Sequence, residues 1–190
     1  MRARAAAIDS VEFYREHAPA LPFNFAKTDG FPDMKKSPYK DFPDWYWRKY
    51  RWTYGQVVAL VDSHIGHILD ALDRHPELKR NTIIVFTSDH GEMQGAHHTV
   101  TKNLPYDECQ RVPFIFCGRG IAHGERDNSL VCNGTDLLPT ICQLAGIPLP
   151  AKTDGLSLAD RVLGRGKAPQ RKALYTEGDG FLNVISGTNK

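Results

Sequence analysis

The sequence lacks an excess of either charge. Its 24 lysines and arginines stand against 22 aspartates and glutamates, a formal net charge of +2. That balance removes the electrostatic case for nucleic acid or an anionic membrane surface as a partner. No apolar run is long enough to span a bilayer. The opening stretch, MRARAAAIDSVEFYREHA, is basic at first, but acidic residues interrupt it and no apolar core follows, so it does not read as a signal peptide. Paired cysteines are missing too: Cys109, Cys117, Cys132 and Cys142 form no CxxC, which sets aside a zinc ribbon or a thioredoxin-type motif. Cys117 and Cys132 lie in or beside apolar runs and are expected to be buried free thiols. There is no internal repeat. What is present is 190 residues, enough for one domain with a substantial core.

Residues 3–17 suit a short helix. The segment 19–47 holds five prolines (Pro19, Pro22, Pro32, Pro38 and Pro43) among many aromatics. Proline breaks helices and central strands, so this stretch is expected to be an ordered loop across the domain surface. From about Asp44 to His75, apolar residues at Tyr50, Tyr54, Val57, Val61, Ile65, Ile68 and Leu72 recur at steps of three and four, predicting a long helix with one continuous stripe. His75-Pro76 should end it. Thr82 to Phe86 reads as a strand covered on both faces, as in a parallel sheet. Val112 to Phe116 and Ser129 to Cys132 read as further strands, with Thr135 as the N-cap of a helix ending at Gly146. Pro139 would then fall near its first turn, where amides lack helical acceptors. Ala173 to Glu177 suits a last strand. This order favours a layered α/β fold.

The chemistry gathers after the first strand, in TIIVFTSDHGEMQGAHHTVTK, residues 82–102. In open α/β sheets ligands bind beyond the carboxyl ends of strands. There, Asp89 offers a hard anionic oxygen and His90 an imidazole nitrogen, both ordinary ligands of a divalent cation. Gly91 is expected to let the chain turn sharply away. Lys102, after a short glycine-containing loop, can hold an anionic substrate as a point charge. The same residues also suit a plain turn and a solvated lysine.

The pattern TIIVFTSDHGEMQGAHHTVTKNLPYDECQRVPFIF resembles the sulfatase family of the alkaline phosphatase superfamily. The likeness rests on Ser88-Asp89-His90-Gly91-Glu92, Lys102, Tyr106-Asp107-Glu108 and Arg111-Val112-Pro113 in that order. Residues 61–72, 135–150 and 153–164 are similar to further family segments, so the resemblance covers roughly residues 50–180. It implies an alkaline-phosphatase-like α/β fold, mostly a parallel sheet flanked by helices and present only in part. It implies Asp89 and His90 as ligands of a divalent cation, usually calcium, and Lys102 as a contact of the sulfate group. His97 stands where many members have Gly-x-His and takes a substrate-side or supporting role, while His98 takes none.

The family's nucleophile, a Cys/Ser-x-Pro-x-Arg motif converted to formylglycine, is absent from these 190 residues. So are its early acidic metal ligands and an upstream sulfate-binding histidine. The chain therefore resembles the later part of a sulfatase catalytic domain, with residues 181–190 opening a truncated C-terminal subdomain. Poor solubility in isolation is expected from exposed strand edges. The implied substrate is a sulfate ester, small or carbohydrate, and the implied compartment of the parent is periplasmic, secreted or lysosomal. A phosphonate monoester or phosphodiester hydrolase of the same superfamily is the alternative enzyme, and a non-catalytic truncated or degenerate domain is the alternative outside catalysis. Glu92 is read as a loop carboxylate or helix-terminal charge rather than a base. His64 and His67 are read as polar flanks of the stripe. Tyr39, Phe42, Trp45, Tyr46 and Trp47 are assigned to packing rather than sugar stacking.

Overall fold

The computed structural model describes residues 10–25, 39, 41–102, 104–178 and 180–187. The expectations for residues 1–9, 26–38 and 188–190 lie outside them. The described residues fall into two compact units, those of 1–71, 91–102 and 106–109 in the first and those of 72–90, 103–105 and 110–190 in the second.

In the first unit, α1 (Val11–His17) starts at Ser10, whose hydroxyl accepts from the Phe13 amide at 3.1 Å. That bond satisfies one of the donors a helix start leaves open. Phe13 and Tyr14 meet Trp52 edge-on, which docks α1 on the long helix α2 (Asp44–Asp73). Tyr14, Trp47, Met93, Ala96 and Cys109 are buried here. The packing reading of Trp47 holds, since it is fully buried. The stripe on α2 is not buried as expected. Val57, Val61 and Ile68 are 55%, 52% and 68% exposed. Helical periodicity records that a face is apolar, not that a partner for it lies among the described residues.

In the second unit, a short α3 (Pro76–Lys79) follows the His75-Pro76 break. β1 (Ile83–Thr87) pairs with β2 (Phe114–Gly118), Val85 opposite Phe116. This pairing is antiparallel, a correction to the parallel arrangement expected of β1. Burial is the reason the run misled: Phe86 and Ile115 are 44% and 53% exposed, so neither strand is covered on both faces. The same alternation exposes Cys117, and Cys132 is half-buried. The buried thiols are Cys109 and Cys142, and none of the four cysteines is in a disulfide. α4 is a single turn over Asp107–Gln110, of which Asp107, Glu108 and Cys109 belong to the first unit.

Residues 129–132 are not a strand. They lead into α5 (Asn133–Ala145), whose N-cap is Cys132 rather than Thr135. The earlier start puts Pro139 inside the helix instead of its first turn. Pro139 has no amide to offer the Thr135 carbonyl. The backbone of Gly155 presses against that same carbonyl: a Cβ there would lie 1.9 Å from the oxygen. Gly146 closes α5 in the left-handed region, as expected. After α6 (Ala159–Val162), β3 (Leu174–Gly178) and β4 (Phe181–Ile185) form an antiparallel hairpin. Gln110 holds both of its strands, donating to Thr176 Oγ1 at 2.8 Å and accepting from Asn183 Nδ2 at 3.0 Å.

Asp136 is the polar centre of this unit. It is fully buried, accepts from the Cys132 and Leu156 amides at 2.8 Å each, and is gripped by both terminal nitrogens of Arg171. Burial pushes its carboxyl up, but Arg171 and the two amides outweigh that and hold it below the usual range. Sequence reading took Asp136 only as a helix residue. Nothing local marks a partner 35 positions away.

Candidate functional site

Asp89 and His90 leave the end of β1, in the second unit. Ser88 shapes the exit: its hydroxyl donates to the His90 carbonyl at 2.8 Å. The His90 amide donates to Asp89 Oδ1 at 3.0 Å, and His90 Nε2 lies 3.3 Å from Asp89 Oδ2. The Asp89 side chain is 82% exposed. Asn133, the first residue of α5, donates to the Ser88 carbonyl at 2.6 Å and to Thr87 Oγ1 at 3.1 Å. A helix start thus braces the strand end that carries the two candidate ligands. A carboxylate oxygen beside an imidazole nitrogen fits, by donor chemistry, two ligands of a divalent cation. Among the described residues no third His, Cys, Asp or Glu joins them in a cluster.

Gly91 serves a different purpose from the expected turn. Its φ is not positive, and a Cβ would stand 1.8 Å from the Glu108 carbonyl oxygen. The Gly91 amide donates to the Cys109 carbonyl at 2.8 Å. Hydrogen is required here because two backbone segments touch.

His97 and Lys102 belong to the first unit, on the loop that follows. Four non-glycine residues of this loop, Gln94, His97, His98 and Thr101, have positive φ, and Gly95 sits at φ 90°. Each such residue costs roughly 1 kcal/mol or more and persists only where its surroundings over-determine it. Here they do. Glu92 Oε1 accepts from Tyr50 Oη at 2.8 Å, the Thr101 amide at 2.6 Å and the Gln94 amide at 3.3 Å. Arg51 donates to the Gln94 carbonyl at 2.9 Å, and the Met93 amide to that of Thr101 at 2.9 Å. Burial, reinforced by Glu92, pushes the Tyr50 phenol far up, so it remains a donor. Glu92 is therefore the organiser of the loop, and Lys102 extends as an exposed residue from the pinned Thr101. His98 packs on Phe25 and Trp47, in keeping with a structural part.

His97 lies stacked on Tyr106, ring centroids 3.8 Å apart. Asn24 reaches it from the segment read as a surface loop. In Phe23-Asn24-Phe25 the polar residue is the buried one: Asn24 is 5% exposed and Phe23 is 89% exposed. Asn24 Nδ2 lies 3.1 Å from His97 Nε2 and donates to Glu108 Oε1 at 2.8 Å. Sequence reasoning missed Asn24. The only signal available was a lone amide between two aromatics.

The family profile described as Sulfatase matches residues 11–147. A delta 4,5-hexuronate-2-O-sulfatase of Bacteroides thetaiotaomicron is 40% identical over 134 residues, 69% of this chain and 28% of its own length. The structure of a 2-O GAG sulfatase superposes with a TM-score of 0.72 at 30% identity, covering 87% of this chain and 41% of that one. The phosphonate monoester hydrolase of Silicibacter pomeroyi superposes at 0.66 with 26% identity, covering 88% and 33%. The chain thus spans between about a quarter and two-fifths of the relatives' lengths, and its fold is the partial, alkaline-phosphatase-like α/β fold that the resemblance implied. A profile match over most of the described residues, together with this fold, places the chain in the sulfatase family.

Proposed function

We propose that this chain carries the later part of a sulfatase catalytic domain whose parent hydrolyses sulfate esters, with carbohydrate sulfates as the substrate class. The observation that carries the reading is the family match over residues 11–147, with Ser88-Asp89-His90-Gly91 and Lys102 inside it. Asp89 and His90 act as two ligands of a divalent cation, calcium being the expected ion. When bound, such an ion polarises the oxygens of the ester group. Lys102 supplies a positive charge for the anionic oxygens, and His97 stands on the substrate side. The chain contains no Cys/Ser-x-Pro-x-Arg nucleophile, so turnover belongs to a protein that also carries that motif and its formylglycine.

Calcium takes six to eight ligands, and two protein ligands hold it weakly. Calorimetric titration of the full chain is expected to show binding with Kd on the order of 1 mM, abolished by Asp89→Ala. Unchanged binding in that variant would reject Asp89 as a ligand. The phosphonate monoester hydrolase neighbour favours phosphoryl esters as the second reading. Assaying the parent enzyme on an aryl sulfate against a phenylphosphonate monoester separates the two. A preference for the phosphonate would overturn the sulfatase reading.

A further inference from the structure

We propose that Asn24 is a positioning residue that holds His97 with Nε2 as a hydrogen-bond acceptor, fixing its neutral ring as the Nδ1–H tautomer. The inference rests on the substrate-side role proposed for His97. It begins with Glu108. An ionised carboxylate can only accept, so the Asn24 amide must turn its nitrogen towards Glu108 Oε1, 2.8 Å away. The flipped amide would set two acceptor oxygens against each other. The same nitrogen carries a second hydrogen, and His97 Nε2 lies 3.1 Å away. An amide N–H facing a ring nitrogen requires a lone pair there, so the ring proton of neutral His97 resides on Nδ1.

Two further contacts fix the ring in place. The His97 amide donates to the Asn24 carbonyl at 3.2 Å, so Asn24 holds both the backbone and the side chain of one residue. Tyr106 covers the ring face, its plane 14° from that of His97. His97 itself stands at φ 51°, a conformation that needs such support. Asn24 also carries a cost. Its Oδ1 is buried with no hydrogen-bond partner, which an apolar side chain of similar volume would avoid. A buried amide with one orphaned oxygen and both nitrogen hydrogens committed is accounted for by what those hydrogens hold.

The consequence is chemical. With Nε2 engaged and Nδ1 protonated, neutral His97 has no lone pair for a cation. It belongs with hydrogen-bond donors to an anionic group and not with the ligands of a metal ion. This separates it from His90.

The test is a long-range proton–nitrogen correlation spectrum of the imidazole rings in the full 190-residue chain at about pH 8.5, above the ordinary imidazole range. The chain has 8 histidines, and His97→Gln assigns the relevant pattern by its disappearance. His97 is expected to show the Nδ1–H pattern. In Asn24→Leu that pattern should be lost in favour of Nε2–H, with the other histidines unmoved. An Nε2–H pattern in the wild type, or an Nδ1–H pattern that survives in Asn24→Leu, would overturn the proposal. Should Asn24→Leu fail to fold, the wild-type spectrum still decides. Titration with inorganic sulfate tests the underlying site separately. A fixed Nδ1–H ring that ignores sulfate retains Asn24's role and rejects the substrate-side role of His97. A ring that responds to sulfate but shows Nε2–H does the reverse.

Discussion

Asp136→Ala is expected to destabilise the second unit by about 3–5 kcal/mol, the range for breaking a buried ion pair by removing one partner. Arg171 is only 11% exposed at its side chain and would keep its charge with no carboxylate to meet it. The Cys132 and Leu156 amides would lose their acceptor as well. A domain of this size has about 5–15 kcal/mol in total, so much of its stability is at stake. Urea denaturation of wild type and variant measures it, and a loss below about 1 kcal/mol would contradict the assignment. Asp136→Leu with Arg171→Met should recover much of the loss, because a buried pair replaced by apolar side chains is often neutral. The pH dependence has a definite sign. The folded carboxyl is held below its unfolded value of about 3.9, so its stabilisation is complete above that value and is lost as pH falls through the folded pKa. Asp127 acts in the same direction, held low by Ser129 and then by Arg161. The unit should therefore be sensitive to acid below about pH 4 and indifferent to pH above about 5 on account of these groups.

Gly91→Ala is the second large effect. A methyl group 1.8 Å from a carbonyl oxygen cannot be relieved by a side-chain rotation, because the neighbour is the backbone of Glu108. One segment must move by more than 1 Å, on the order of 3 kcal/mol at the upper end of overpacking costs. The strain falls between Gly91 and Glu108, the acceptor for Asn24. Gly91→Ala should therefore both lower stability and disturb the His97 ring pattern, whereas a surface Gly166→Ala, which meets nothing within 4 Å, should leave that pattern alone. An unperturbed His97 in Gly91→Ala would mean that the Gly91–Glu108 approach does not support the loop.

Motifs of contiguous residues were legible. Ser88-Asp89-His90-Gly91 with Lys102 could be read because its members are close in sequence and chemically distinctive. The long helix, the strands 83–87 and 174–178 and the Gly146 stop follow from periodicity, β-branching and chirality. What was not legible is long-range satisfaction. Asn24 reaching Glu108 and Asp136 reaching Arg171 span 84 and 35 positions, and their residue types look like ordinary surface polar groups. Burial was misjudged where it depends on a partner face: the stripe on α2, both faces of β1 and the thiol of Cys117. An apolar pattern states a preference, and pairing direction or coverage is set by what arrives from elsewhere in the fold.

The distribution of thiols makes the protein its own reporter. Cys109 is buried in the first unit, beside the Gly91 contact, and Cys142 is buried in the second, on the helix that carries Asp136. Cys117 is exposed and Cys132 half-buried. An alkylating reagent should consume Cys117 at once, whereas Cys109 and Cys142 react only when their surroundings open. Timed alkylation read by peptide mass should then give two separate clocks, with Cys142 quickened by Asp136→Ala and Cys109 by Gly91→Ala. The chain's modest set of thiols thus becomes a map of where the molecule breathes.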